Sequence, residues 1–204
     1  MPFGRLEGWL ERYDAAHAVT AWVVSAERAE SVGADGARAV ISVPFGRLAM
    51  PSIDTLLAHV AVPRQFGVVL VRRGGFAVAR VIGEAVVESK VGQRHVQGRT
   101  KAGGWSQQRF ARRRDNQARA AYDAAAEYVR GILQSAAAEL DLLATGGDRQ
   151  AVAATLEHPG LDALRSRPQH WLGGVPDPKR RVLDAAIQDV RSVTITLIDA
   201  PRPP

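Results

Sequence analysis

The sequence contains no cysteine. That absence excludes disulfides, thiolate zinc sites, iron–sulfur clusters and a cysteine nucleophile together. Histidine is sparse, with five in 204 residues. His17, His59, His95, His158 and His170 share no metal-ligand spacing, so each reads as a surface or capping residue. No stretch approaches about 18 consecutive apolar residues. Residues 1–14 lack the apolar core of a signal peptide. The expectation is a cytoplasmic chain without a membrane partner. No Gly-x-Ser-x-Gly elbow, P-loop or Gly-x-Gly-x-x-Gly follows a strand-like segment. A metal-dependent nuclease wants several carboxylates at strand ends. The strand-rich middle of the chain offers Glu84 and Glu88, which a solvated face explains. No metal and no cofactor is expected.

Lysine is nearly missing as well. Of 27 basic residues, Lys90, Lys101 and Lys179 are lysines and the rest are arginines. Placement says more than composition. Residues 90–120 hold nine bases, Lys90, Arg94, Arg99, Lys101, Arg109, Arg112, Arg113, Arg114 and Arg119, against the single acid Asp115. This window carries a net charge of +8, although the whole chain carries +6, so the remainder is acidic by two charges. A basic charge confined to one segment meets phosphate more often than any other partner.

What remains is globular. Hydrophobic residues make up 46% and charged residues 24% of the chain. A chain of this length buries roughly 70% of its unfolded surface, so a core needs no metal or disulfide to hold it. Residues 3–14 place Leu6, Trp9, Leu10 and Tyr13 at helical spacing. Residues 19–24 and 38–43 read as two strands of an antiparallel hairpin, with turn signals over 30–37. Residues 53–59 read as a helix, and Pro63 closes this first segment. A meander follows, with strands at 66–71, 76–82 and 85–91 separated by Arg72-Arg73-Gly74-Gly75 and Gly83-Glu84.

Residues 92–106 show no period. A long amphipathic helix then spans about 107–139, with Ala121, Ala125, Val129, Ile132 and Leu133 on one arc. Arg109, Arg112, Arg113 and Arg119 fall on the other arc. Beyond it come a strand at 140–144 and a Gly146-Gly147 turn for which Asp148 is the expected helix cap. Short helices at 150–157 and 161–166, a short strand at 170–172, a helix at 177–190 and a strand at 192–199 complete the chain. The expected fold is α/β, a mixed sheet with packed helices. The expected division is a small N-terminal αβ extension over 1–62 and a second domain over 63–204.

The most informative stretch runs from Gly98 to Arg114. Gly103-Gly104 forms the tip of a basic segment, where glycine lets backbone approach a crowded target. Amide side chains follow at Gln107 and Gln108, and then a helix N-terminus, whose free N–H groups favour anions. Arginines on the next turns can hold phosphates bidentately. Blander readings exist for each part. The glutamines could be ordinary first-turn residues, Trp105 could pack on the domain, and the arginines could form a solvated face. Together they leave the +8 segment unexplained.

This stretch resembles the catalytic loop in the middle domain of eukaryotic and archaeal peptide-chain release factors. Gly103-Gly104 matches the glycines of that family's Gly-Gly-Gln tip, and Arg109-Phe110-Ala111-Arg112 matches the helix that follows. A gapless match puts Trp105 at the glutamine. The Vms-like release factors, among them the ankyrin-repeat zinc-finger peptidyl-tRNA hydrolase, carry Gly-x-x-Gln instead. Gly104-Trp105-Ser106-Gln107 is that pattern. The chain looks like the bacterial, actinobacterial-type branch of that family, well over 63–204 and loosely over 1–62.

The resemblance implies a release-factor middle-like, ribonuclease-H-like fold for the second domain. It implies peptidyl-tRNA hydrolysis in the peptidyl-transferase centre of the large ribosomal subunit, in rescue of stalled chains. Gln107, Gly104 and Gly103 would be catalytic, with Gln108 the alternative amide. Arg94, Arg99, Lys101, Trp105, Arg109, Arg112, Arg113 and Arg119 would bind RNA. Two other functions stay open on the residues alone: an RNA- or ribosome-binding module without hydrolysis, and a tRNA or rRNA nuclease.

Overall fold

The computed structural model describes residues 1–93 and 106–199. The chain divides into two compact units, Met1–Pro63 with Gln188–Pro204, and Arg64–Ile187.

The first unit starts with a 3-10 turn, Phe3–Arg5, that leads into α1, Leu6–His17. Leu6, Leu10 and Tyr13 are its buried residues. Their i, i+4, i+7 spacing makes a single apolar stripe. Three strands follow as an antiparallel meander: β1, Trp22–Val24, β2, Arg28–Val32, and β3, Arg38–Ser42. The hairpin partner of β3 is therefore β2, not the strand at 19–24 expected from the sequence. Within β2 the residues on the core side are Ala29 and Ser31, both buried. Such small side chains give no apolar alternation to read. The turn itself is confined to residues 33–37, where Gly33 N–H donates to the Ala37 carbonyl at 2.7 Å and Ala37 N–H donates to Asp35 Oδ1 at 2.9 Å. Helix α2, Ile53–Ala61, begins at a capping box: Thr55 N–H donates to Ser52 Oγ, and Ser52 N–H donates to Thr55 Oγ1. Leu6, Leu10, Ala29, Ile41, Leu56 and Val60 meet in one core.

The second unit is built on a five-stranded mixed sheet. Strands β4, Gln65–Arg72, β5, Gly75–Ile82, and β6, Ala85–Gln93, form the expected antiparallel meander. Helix α3, Ser106–Leu133, comes next and runs into a 3-10 segment, Gln134–Glu139. Strand β7, Leu142–Gly147, then pairs parallel with β4. Helices α4, Arg149–Leu156, and α5, Asp162–Arg165, lead to β8, Gln169–Leu172, which pairs parallel with β7. The spatial order is β6-β5-β4-β7-β8. Central β4 is buried from Phe66 to Val71, as a strand covered on both faces must be.

Register assigns the two faces. Gly67, Val69 and Val71 of β4, Phe76 and Val78 of β5, and Leu143 of β7 share the face covered by α3, α4 and α5. Gly67 is needed there, because a Cβ would lie 2.9 Å from a Leu143 methyl and 3.0 Å from a Leu133 methyl. From α3, Ala121, Ala125, Val129, Ile132 and Leu133 are all buried, as its sequence phase requires, and Arg119 is exposed. Val68, Leu70, Ala77, Ala79 and Val81 point the other way and are buried too. On that side α6, Arg180–Val190, directs Arg180 to Ser89 Oγ at 3.0 Å.

The last strand, β9, Ile195–Ile198, pairs antiparallel with β3. The first unit therefore has a four-stranded antiparallel sheet, β1-β2-β3-β9. This corrects the expectation that everything from residue 63 to 204 forms one domain. Sequence adjacency attaches β9 to the preceding helix, but the pairing Ile41–Ile195 attaches it to the first core.

Candidate nucleic-acid interface

Strand direction gathers several chain segments at one end of the second sheet. β4 ends there at Arg72, β7 at Gly147, β8 at Leu172 and β6 at Gln93. In open sheets the carboxyl ends of parallel strands are where ligand-binding segments collect. The basic segment leaves from Gln93, and α3 brings the chain back.

Helix α3 is far longer than the sheet needs. Near its C-terminal end Leu133 packs over Gly67, and nearer the Arg72 end Tyr128 stacks on Phe76 with ring centroids 5.3 Å apart. Among the α3 side chains that are described, Tyr122 is the earliest packed on the core cluster, with Ala121 buried beside it. From Ala121 back to Ser106 the helix covers about 22 Å at 1.5 Å per residue. Helical propensity favours that half: residues 106–120 contain three alanines and five arginines and neither glycine nor proline.

Gln107 and Gln108 lie in the first turn of α3, and Arg109, Arg112 and Arg113 in the first two turns. Their side chains are outside the described residues. Helix backbone in the first turn leaves its N–H groups without intrahelical acceptors. Arg119 is exposed. Arg94, Arg99, Lys101, Gly103, Gly104 and Trp105 lie outside the described residues.

The structure adds pairings that the sequence does not reveal. Lys90 of β6 lies over the Tyr128 ring, 5.0 Å from its centroid. At the opposite edge the Arg149 guanidinium lies over Trp171 at 4.2 Å. Both pairs join segments distant in sequence, so no local pattern announces them. Arg72 is engaged structurally: it donates to the Val175 carbonyl at 2.8 Å and lies 3.5 Å from Asp177. Asp148 caps α4 as expected, accepting from Gln150 N–H at 2.9 Å and Ala151 N–H at 3.1 Å. Gly147 makes the turn possible with φ +107°, and a Cβ there would lie 2.3 Å from the Val71 carbonyl oxygen.

The histidines have ordinary occupations. His17 Nδ1 is 2.8 Å from Asp35 Oδ2, and this hydrogen bond, with the Ala37 N–H, holds the Asp35 carboxyl below its usual range. His59 Nε2 contacts the Pro44 carbonyl at 2.8 Å. His158 lies 4.0 Å from Glu127, His170 is exposed, and His95 lies outside the described residues. Among the described residues, no three His, Cys, Asp or Glu side chains gather where they could hold a metal ion. Among them, too, no helix is long and apolar enough to cross a membrane.

None of the curated proteins matches the chain. A family model does. Residues 64–196 match the Actinobacteria/chloroflexi VLRF1 release factor, a span that contains the whole five-stranded sheet, the basic segment and α3. Release factors act on the ribosome, so the match supports a role in translation release or rescue. The α/β fold, the mixed sheet and the family match agree, and the chain belongs to the Actinobacteria/chloroflexi VLRF1 release-factor family.

Proposed function

We propose that the protein is a ribosome-dependent peptidyl-tRNA hydrolase that frees nascent chains from stalled ribosomes in the cytoplasm. The observation that carries this reading is the placement of one motif. In the Gly104-Trp105-Ser106-Gln107 motif, Ser106 and Gln107 open α3, and the whole motif lies inside the span matched to a release-factor family. A narrow helical arm with arginines on its first turns suits entry into a crowded, phosphate-lined cavity such as the peptidyl-transferase centre.

The scissile bond is the ester joining the peptide to the terminal adenosine of the tRNA. A glutamine amide has no useful pKa, so Gln107 is not a general base. Its part is to orient the attacking water against the ester carbonyl, which raises the rate by fixing geometry. Free N–H groups of the first helical turn meet the oxyanion that develops. Gly103 and Gly104 keep the approach open. Arg94, Arg99, Lys101, Arg109, Arg112, Arg113 and Arg119 neutralise phosphates, and Trp105 offers a face for base stacking. Ribosomal RNA and the tRNA 2′-hydroxyl supply the remaining polar groups, and no protein-bound metal takes part.

The test is release of labelled peptide from stalled ribosome complexes carrying peptidyl-tRNA, with and without the protein. Release well above the spontaneous rate is expected, unchanged by removal of divalent ions beyond what the ribosome itself needs. Binding without release would make the protein an RNA-binding module. Cleavage of the tRNA or rRNA chain would make it a nuclease.

A further inference from the structure

Arg149 and Arg73 occupy adjacent corners of the sheet end from which α3 emerges. Asp148 N–H donates to the Val71 carbonyl at 2.9 Å, which ties the β7–α4 turn to the end of β4 just before Arg73. Both arginines are exposed, and among the described residues neither has an acidic partner. Their neighbours are otherwise engaged. Arg72 is held by Val175 and Asp177, and the Asp148 carboxylate is occupied by the first N–H groups of α4. Arg149 is also pre-oriented. Trp171 is half-buried against the core, and the guanidinium lies over its ring at 4.2 Å. A stacked guanidinium keeps its N–H edge free in a fixed plane, which suits bidentate capture of a phosphate and lowers the entropy lost on binding.

We propose that Arg149 on Trp171, with Arg73, forms a second phosphate-binding station, and that it grips the acceptor arm of the same tRNA whose ester the α3 tip attacks. This rests on the hydrolase reading for the identity of the RNA. The choice of tRNA follows from reach. The station stands at the sheet end from which α3 emerges, and α3 carries its first turn about 22 Å beyond the buried Ala121. With the tip at the ester, ribosomal RNA lines the cavity, and the acceptor arm is the nucleic acid that the ester itself ties to the tip on every loaded ribosome. A phosphate held there fixes the angle of the arm, so the tip meets the carbonyl from one direction. Neither residue touches the reacting atoms; both are positioning residues.

The test uses the full chain and the double variant Arg73→Glu/Arg149→Glu, with melting temperature as the folding check. Association is measured directly over a salt series, on ribosomes carrying P-site peptidyl-tRNA and on vacant ribosomes. The variant is expected to bind the loaded ribosomes about tenfold or more weakly, with a log–log salt slope shallower by about two, as for two lost phosphate contacts. Affinity for vacant ribosomes should not change, whereas the release rate at saturating protein should fall about threefold or more, because the angle of the arm is no longer fixed. An equal loss in both arms would assign the arginines to ribosomal RNA and overturn the proposal. No loss in either arm would overturn it as well. Because binding is read without release, a parent protein that frees no peptide would sink the hydrolase reading while the loaded-versus-vacant difference still decided the station.

Discussion

The two halves of α3 belong to one continuous helix, yet they answer to different constraints. From Ala121 to Leu133 the residue choice is set by packing, since small Ala121 and Ala125 bring the helix close to the sheet and Val129, Ile132 and Leu133 fill the space beneath it. From Ser106 to Arg119 it is set by charge, with arginines where a buried helix would have apolar groups. The first unit sharpens the contrast. Its sheet leaves Val23, Val32 and Ile198 exposed on one face, whereas the second unit buries its central strand β4 on both. A central strand covered twice is a firm base for a long helix.

The largest effect should come from breaking the packed half. Val129 is fully buried between sheet and helices. Val129→Asp puts an unpaired charge there, at a cost of about 3–5 kcal/mol. Chemical denaturation should show the midpoint collapsing, and release activity should fall with the folded fraction. A stable, active Val129→Asp would mean that the two halves of the helix do not differ as argued.

Next in size is the tip. Gln107→Ala should leave stability and ribosome association unchanged and slow single-turnover release about a hundredfold, or about 2.7 kcal/mol in the barrier. This is the reverse of the Val129 outcome: chemistry is lost while the fold is kept. An effect on stability comparable to that on release would place Gln107 in the packing rather than at the ester.

A smaller and differently shaped effect is expected for the arginines. Arg112→Ala/Arg113→Ala should weaken association with ribosomes about tenfold at physiological salt and flatten its salt dependence, with little change once the protein is bound. A salt slope identical to the parent's would mean that these arginines only solvate the helix.

Much of this contrast is legible in the sequence, and the gaps have physical causes. The meander from β4 to β6 is readable because Phe66 to Val71 is continuously apolar and tight glycine turns follow. The buried face of α3 is readable because five residues keep one helical phase. Strand β2 is not, because Ala29 and Ser31 face the core without the bulk that marks a strand. The place of β9 is not, because a pairing such as Ile41 with Ile195 depends on which core accepts it. At the candidate site, the tip stands out as a motif with a local charge. The Arg149–Trp171 stack does not, since strand pairing between β7 and β8 is what brings the two together.

The smallest expected effect tests the finest claim, that one of two neighbouring amides does the work. Successive residues on a helix point about 100° apart. Gln107 and Gln108 therefore cannot both orient the same water from the first turn of α3. If Gln107 addresses the ester, Gln108 faces solvent or RNA, and Gln108→Ala should slow release by less than about threefold, the scale of a lost exposed contact. The comparison is made in the same single-turnover assay, at saturating protein, so that any change in binding drops out. A hundredfold loss for Gln108→Ala together with parental release by Gln107→Ala would move the catalytic amide by one residue and turn the arm by that angle. Parental rates for both would leave α3 as a basic arm that binds RNA and hydrolyses nothing.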